Sequence, residues 1–314
     1  MANLVGVFGT SHSPALIAPV SDWPALEPRI PRPSLDRLVG NVRDYWDEHQ
    51  ARFDIAMKQL RASILAVDPD VLLIVGSDQG ENFGPRSAPV FEMFLADHLD
   101  ASAANRRDEG PDQFRVSMPI AVDLGLQILN ELCDNGFDVA HTSETSDDYG
   151  IGHAVTWPMR FLDLTESGFE LLPIVTNVWN PPNVPSVRRC VAFGQALRDA
   201  ISAAPKQARV AVLASGGLSH LVLDEELDSR VLDALQSSNL DTWLAIADDE
   251  LRLAHEKHGL PLRLNGTAEI TDWIIADACA QVPAEIIDYV PAYRTESGYG
   301  VGMCFAQWGL PATS

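Results

Sequence analysis

Cysteine is scarce in this chain, and what there is stands scattered. Cys133, Cys190, Cys279 and Cys304 form no CxxC pair, so neither a disulfide scaffold nor a cysteine-bound metal is expected; four reduced, mostly buried thiols of a cytoplasmic protein are. Basic residues are few as well: 22 Lys and Arg against 44 Asp and Glu leave a net charge of -22. Nucleic-acid binding needs a basic face to displace counterions from phosphate, which excludes that class of partner. An anionic small molecule is still allowed, since one local arginine overrides a global field. No apolar run reaches membrane-spanning length, and no basic segment leads into an apolar stretch near the N-terminus, so no membrane contact is expected. No internal repeat, low-complexity tract or shift in composition divides the chain, which points to one domain over residues 1–314 with an ample core.

What is there is a pattern used three times. Ala211–His220 (AVLASGGLSH) runs from apolar residues into Ser-Gly-Gly and a histidine, and Asn3–Pro14 (NLVGVFGTSHSP) and Asp70–Phe83 (DVLLIVGSDQGENF) have the same build. Each reads as a buried strand whose carboxyl end opens into a glycine turn. In an open α/β sheet, ligands bind outside the carboxyl ends of the strands. His220, His12 with Ser11, and Asp78, Gln79 and Glu81 would therefore be delivered to one place. Any one of them alone reads more simply as a hydrogen-bonded loop residue; the coincidence of three favours a site.

Between these strands the periodicity is mostly helical. Five prolines from Pro19 to Pro33, around Trp23, break regular structure and suggest a lid or subunit contact. Helices are expected within Leu35–Val67, with Ile55, Met57, Leu60, Ile64 and Leu65 on the buried face, and over Ile120–Cys133, stopped by Asn135-Gly136. Phe137–Ala140 reads as a strand, Asp147–Pro158 as a glycine-punctuated loop holding Tyr149 and His153, and Glu170–Thr176 as a strand. Ser186 should cap a helix to Ala203 and Asp224 one over Glu225–Leu235. Leu240–Ala247 reads as a further helix, with His255 and His258 in solvent beyond it. Asn265–Val282 reads as a helix with Glu269 in its first turn, where a carboxylate also suits the dipole. Ile286–Val290 and Gly300–Trp308 close the chain as strands. This alternation predicts an α/β fold, a single domain with a mixed central sheet flanked by helices on both faces.

GTSHSP, DQGENF, ASGGLSH and NGTAEITDW, in that order along nearly the whole chain, resemble the class III extradiol ring-cleavage dioxygenases, the family of protocatechuate 4,5-dioxygenase catalytic subunits. Asn177–Gly194 and Asp288–Trp308 look most like its 3-O-methylgallate dioxygenase branch. The resemblance implies cleavage of the ring of a catechol- or gallate-type aromatic acid by O2. It also implies Fe(II), or another divalent metal, held by two histidines and one carboxylate. A homo-oligomer, a dimer, is expected. By position in the motifs, His12 and Glu269 match metal ligands, and His220 matches a histidine that polarises the diol or the oxygen.

Two departures bear on the site. Where much of the family has Asp-His after the second strand, this chain has Asp78-Gln79, in keeping with the methylgallate-like branch. Gln79 would then bind the metal through its amide oxygen, or Glu81 or His153 would take its place. Where many relatives have Asp-His-Gly with an acid/base histidine, this chain reads Asp148-Tyr149-Gly150 and offers a histidine only at His153. Tyr149 and His153 therefore share the proton-handling expectation with His220. Tyr293 and Arg294 are candidates to hold a substrate carboxylate, against the simpler reading of Arg294 as half of an ion pair. Two rival readings are a hydrolytic metal enzyme of the same fold and a non-catalytic partner subunit.

Overall fold

In the computed structural model the described residues are 1–16, 18, 20–22, 41–102, 115–146, 149–237, 239–296 and 298–310. Apart from residues 20–22, the proline-rich stretch lies outside them, as does Asp148. The first half of the chain contains β1 (Asn3–Thr10), α1 (Trp46–Ala66), β2 (Val71–Asp78), β3 (Phe91–Phe94), β4 (His98–Ser102), β5 (Arg115–Pro119), α2 (Val122–Asp134), β6 (Ala140–Thr142) and α3 (His153–Phe161). The second contains β7 (Glu170–Asn177), α4 (Val187–Ala203), β8 (Arg209–Ser215), β9 (His220–Val222), α5 (Glu225–Leu235), α6 (Asp248–Arg252), α7 (Ile270–Ala280), β10 (Ala284–Tyr293) and β11 (Tyr299–Trp308).

One sheet runs in the order β10-β11-β1-β8-β2-β7-β3-β6, with β9 added to β11. β1, β8, β2 and β7 are parallel. β11 on β1, β10 on β11 and β3 on β7 are antiparallel, so the sheet is mixed. All of β2 is buried, and its side chains alternate between two cores, as a strand's pleat requires. Val71, Leu73 and Val75 belong to the core shared with α2, α4, α5 and α7, whereas Leu72 and Ile74 belong to the one shared with α1 and α3. The expected architecture, helices on both faces of a mixed sheet, is the one observed. Strands buried on both faces read as unbroken apolar runs, which is why β2, β7 and β8 were legible.

The expected caps form: Ser186 Oγ accepts from Arg189 N at 3.1 Å and Asp224 from Leu227 N at 3.0 Å. Other expectations shift. α1 begins at Trp46, and Ile55 is 65% exposed, because the face that packs inward is Phe53, Ala56, Met57, Leu60 and Ile64 and Ile55 falls between its steps. The strand expected at Phe137–Ala140 is β6, while Phe137 packs edge-on against Phe193 of α4. Leu240–Ala245 is a 3-10 turn. His255 is buried rather than solvated, because the chain folds back over it and Leu260 N donates to its carbonyl at 2.9 Å; His258 is half-buried. Cys190, Cys279 and Cys304 are buried free thiols and Cys133 is exposed. Among the described residues, no helix is long and apolar enough to cross a membrane.

Candidate active site

β1, β8 and β2 lie side by side in register, with Ser215 opposite both Thr10 and Gly76. Their carboxyl ends therefore deliver His12, the Gly216–His220 turn and the Asp78–Phe83 loop to one edge of the sheet. Glu269 reaches the same place from the opposite direction, at the end of a 3-10 turn, Gly266–Glu269, that leads into α7. Trp273 of α7 fixes the turn after β8 by donating its indole N–H to Gly216 O at 2.9 Å. Gly216 has to be glycine: a Cβ there would lie 2.8 Å from Glu269 Cβ.

Glu269 is 1% exposed and sits at the centre. Its Oε2 accepts from Gly217 N at 2.8 Å and lies 3.5 Å from His12 Nε2; its Oε1 lies 3.3 Å from His220 Nε2 and accepts from the Gln79 amide. Burial works to raise the Glu269 carboxyl, but the His220 and His12 imidazoles hold it well below the usual range. Burial lowers His12. At His220 burial acts the same way, and the Glu269 charge outweighs it and leaves the ring raised.

The hydrogen bonds fix how each imidazole is turned. His12 Nδ1 is 2.9 Å from Ser215 Oγ, and the Ser215 hydroxyl donates to Ala154 O at 2.5 Å. A carbonyl can only accept, so His12 Nδ1–H is the donor and Nε2 is the ring nitrogen that faces Glu269. His220 Nδ1 donates to Leu218 O at 2.8 Å, which again leaves Nε2 facing inward. His153 Nδ1 lies 2.7 Å from Glu81 Oε2, and its ring stands edge-on to His12 at 4.7 Å. Burial works against a charge on His153, but Glu81 more than offsets it and raises the ring to about 9. One nitrogen of His12, one of His153 and one oxygen of Glu269 lie within 4.8 Å of one another.

Two ligands about 2.1 Å from one ion, at right angles, stand about 3 Å apart. His12 Nε2 and Glu269 Oε2 approach that separation. Buried imidazoles around a carboxylate, each tied outward through Nδ1, suit a first-row divalent metal.

Of the residues singled out in the sequence, His12, His153, His220, Gln79 and Glu269 come together. His153 is the first residue of α3 and not a loop residue; the glycines before it and Pro158 inside the helix disguise the start. Tyr149 lies in the preceding turn, its carbonyl accepting from Gly152 N at 3.0 Å. Arg294 is buried, and its charge works against protonation of His220. Tyr293 directs its hydroxyl to Glu225 of α5 at 2.5 Å. Sequence reasoning missed Ser215 and Asp272. Asp272 is fully buried beneath the cluster, bonded to Ser77 Oγ at 2.6 Å and to the Thr176 hydroxyl, and burial holds its carboxyl well above the usual range. Its place three residues after Glu269, on the same helical face, was the available signal.

Residues 7–303 match the family described as the catalytic LigB subunit of aromatic ring-opening dioxygenase, and the chain belongs to that family. It is 28% identical over 170 residues to a 2,3-dihydroxyphenylpropionate/2,3-dihydroxicinnamic acid 1,2-dioxygenase of Azotobacter vinelandii, covering 54% of this chain and 50% of that protein. A protein of the same name from Photorhabdus laumondii is 30% identical over 163 residues, 52% of this chain and 47% of its own. The gallate dioxygenase of Pseudomonas putida is 40% identical over 97 residues, 28% of each chain. The chain thus spans about half, or less, of the length of these curated relatives. The crystal structure of an uncharacterized Escherichia coli K12 protein shares the fold, with a TM-score of 0.50 at 11% identity over 97% of this chain and 100% of that one.

Proposed function

We propose that the chain is a single catalytic domain that opens the ring of a catechol- or gallate-type aromatic acid by extradiol cleavage, placing both atoms of O2 in the product. The observation that carries this reading is the convergence of His12, His153, His220 and Glu269 at the carboxyl ends of parallel strands, in a chain of a ring-opening family. His12 Nε2 and Glu269 would hold the metal, with Gln79 in the motif position of the third ligand. Fe(II), when bound, supplies the Lewis acidity that favours ionised diol oxygens and the redox chemistry that dioxygen requires.

The remaining steps fall to the side chains. His220, anchored through Nδ1, presents Nε2 as the base that takes a diol proton and later returns it. His153, held by Glu81, stands edge-on to His12 as the other imidazole of the cluster. Arg294 offers the buried positive charge for a substrate carboxylate. The decisive experiment is oxygen uptake after anaerobic Fe(II) loading, over gallate, 3-O-methylgallate, protocatechuate and simple catechols, with His12→Ala as control. Uptake that needs both substrate and His12 supports the reading. A metal-loaded protein that consumes no oxygen would sink it in favour of a hydrolytic enzyme, and one that holds no metal in favour of a non-catalytic subunit.

A further inference from the structure

We infer that His153, fixed by Glu81, supplies the third protein ligand of the metal site, in the place that the motif gives to Gln79. The inference rests on the metal-enzyme reading above and refines it. A carboxylate can only accept, so the end of Gln79 that meets Glu269 Oε1 is its amide nitrogen. That nitrogen has no lone pair to give a metal. Gln79 therefore braces the carboxylate ligand, while His153 brings a ring nitrogen into the cluster with His12 and Glu269.

Glu81 is the positioning residue, and the loop is built to aim it. Asp78, at the end of β2, accepts from the backbone N–H groups of Gly80 at 2.7 Å, Glu81 at 3.2 Å, Asn82 at 2.7 Å and Phe83 at 3.2 Å, which winds the loop about one carboxylate. Asn82 ties the loop to the segment ahead of α3, donating to Gly150 O at 3.1 Å and accepting from Ser146 N at 2.9 Å. Glu81 then holds His153 at its ring, at 2.7 Å, and at its backbone N–H, at 3.1 and 3.2 Å. A Cβ on Gly152, whose φ is +87°, would lie 2.8 Å from Glu81 Oε2, so the contact depends on glycine there. An imidazole whose Nδ1–H is given to a carboxylate has its tautomer and orientation set, and Nε2 is left for the metal. With glutamine at position 79, the second histidine of the site thus comes from the start of α3.

The test is an anaerobic Co(II) titration of the metal-free full chain, followed by proton NMR. Each Co(II)-bound imidazole that keeps its Nδ1–H gives one strongly shifted, solvent-exchangeable signal. Two such signals are expected from the wild type and from Gln79→Ala, and one from His153→Gln. Glu81→Ala should weaken Co(II) binding roughly 10- to 100-fold and speed exchange of the second signal. Glu81→Gln, whose amide oxygen still accepts, should recover most of both. A single signal in the wild type overturns the assignment without recourse to any variant. So does a tenfold or greater loss of affinity in Gln79→Ala with none in His153→Gln; either result leaves the metal-enzyme reading standing. A wild type that is folded by circular dichroism and binds no Co(II) overturns both.

Discussion

Ser215 Oγ accepts the Nδ1 proton of His12 at 2.9 Å because its own proton goes to the carbonyl of Ala154. The orientation of one candidate ligand is thus set by a strand-end serine and a helix carbonyl. Ser215→Ala removes the acceptor and leaves a buried imidazole N–H and a buried carbonyl without partners. Metal affinity is expected to fall roughly 10- to 100-fold, and stability by about 1–3 kcal/mol. Co(II) calorimetry and urea unfolding read the two effects, and an unchanged affinity would show that His12 keeps its orientation without Ser215.

The Ala154 carbonyl is free for this task because of Pro158. In an α-helix it would accept from the N–H four residues on, and proline at that position has none. Pro158→Ala supplies the missing N–H and makes it compete with Ser215. Interior proline costs a helix about 3 kcal/mol, so this substitution should hold or raise the thermal midpoint while lowering Co(II) affinity. A variant with wild-type affinity would show that the proline does nothing for the site.

How much of this could be read from residues alone follows from how local each cause is. The buried runs of β2 and β8, and the caps at Ser186 and Asp224, are written in neighbouring residues and were legible. So was the delivery of His12, Gln79 and His220 to one edge, since parallel strands share an end. The start of α3 was not: Gly150, Gly152 and Pro158 all signal a break, and the compensation lies in Glu81 and Ser215, which are distant in sequence. The depth of α7 was hidden for a related reason. It is buried on every side, so no polar face marks its period. Tyr293 and Arg294 look alike as polar neighbours at the end of β10, and only packing separates the one bonded to Glu225 from the one buried near His220.

That separation makes a prediction about substrate binding. Arg294→Gln should raise KM for protocatechuate and gallate, by roughly 10-fold or more for a lost charge-assisted contact, and leave KM for a catechol without a carboxylate nearly unchanged. Tyr293→Phe should alter neither, since its hydroxyl is already bonded to Glu225. Steady-state oxygen uptake over the substrate series decides it: an equal rise for both kinds of substrate would assign Arg294 a structural role.

Asp277 carries a pH signature away from the candidate site. It lies eight residues beyond Glu269, about 12 Å along the helix, buried between the indole N–H groups of Trp243 at 2.7 Å and Trp308 at 2.8 Å. Burial raises its carboxyl to about 6 in spite of both donors. Its ordinary value in an unfolded chain is about 4, so between these limits the folded state holds the proton more tightly. Its contribution to stability is therefore complete below about pH 4 and is lost as pH rises through about 6, on the order of 2–3 kcal/mol in all. Other buried groups titrate as well, and Glu269, held low, acts with the opposite sign. The useful quantity is thus the stability of the wild type minus that of Asp277→Asn, from urea unfolding of metal-free protein at steps from pH 4 to pH 7. That difference should decline across the window. A flat difference would mean that Asp277 is already ionised at pH 4, with the two indoles supporting the charge rather than burial opposing it.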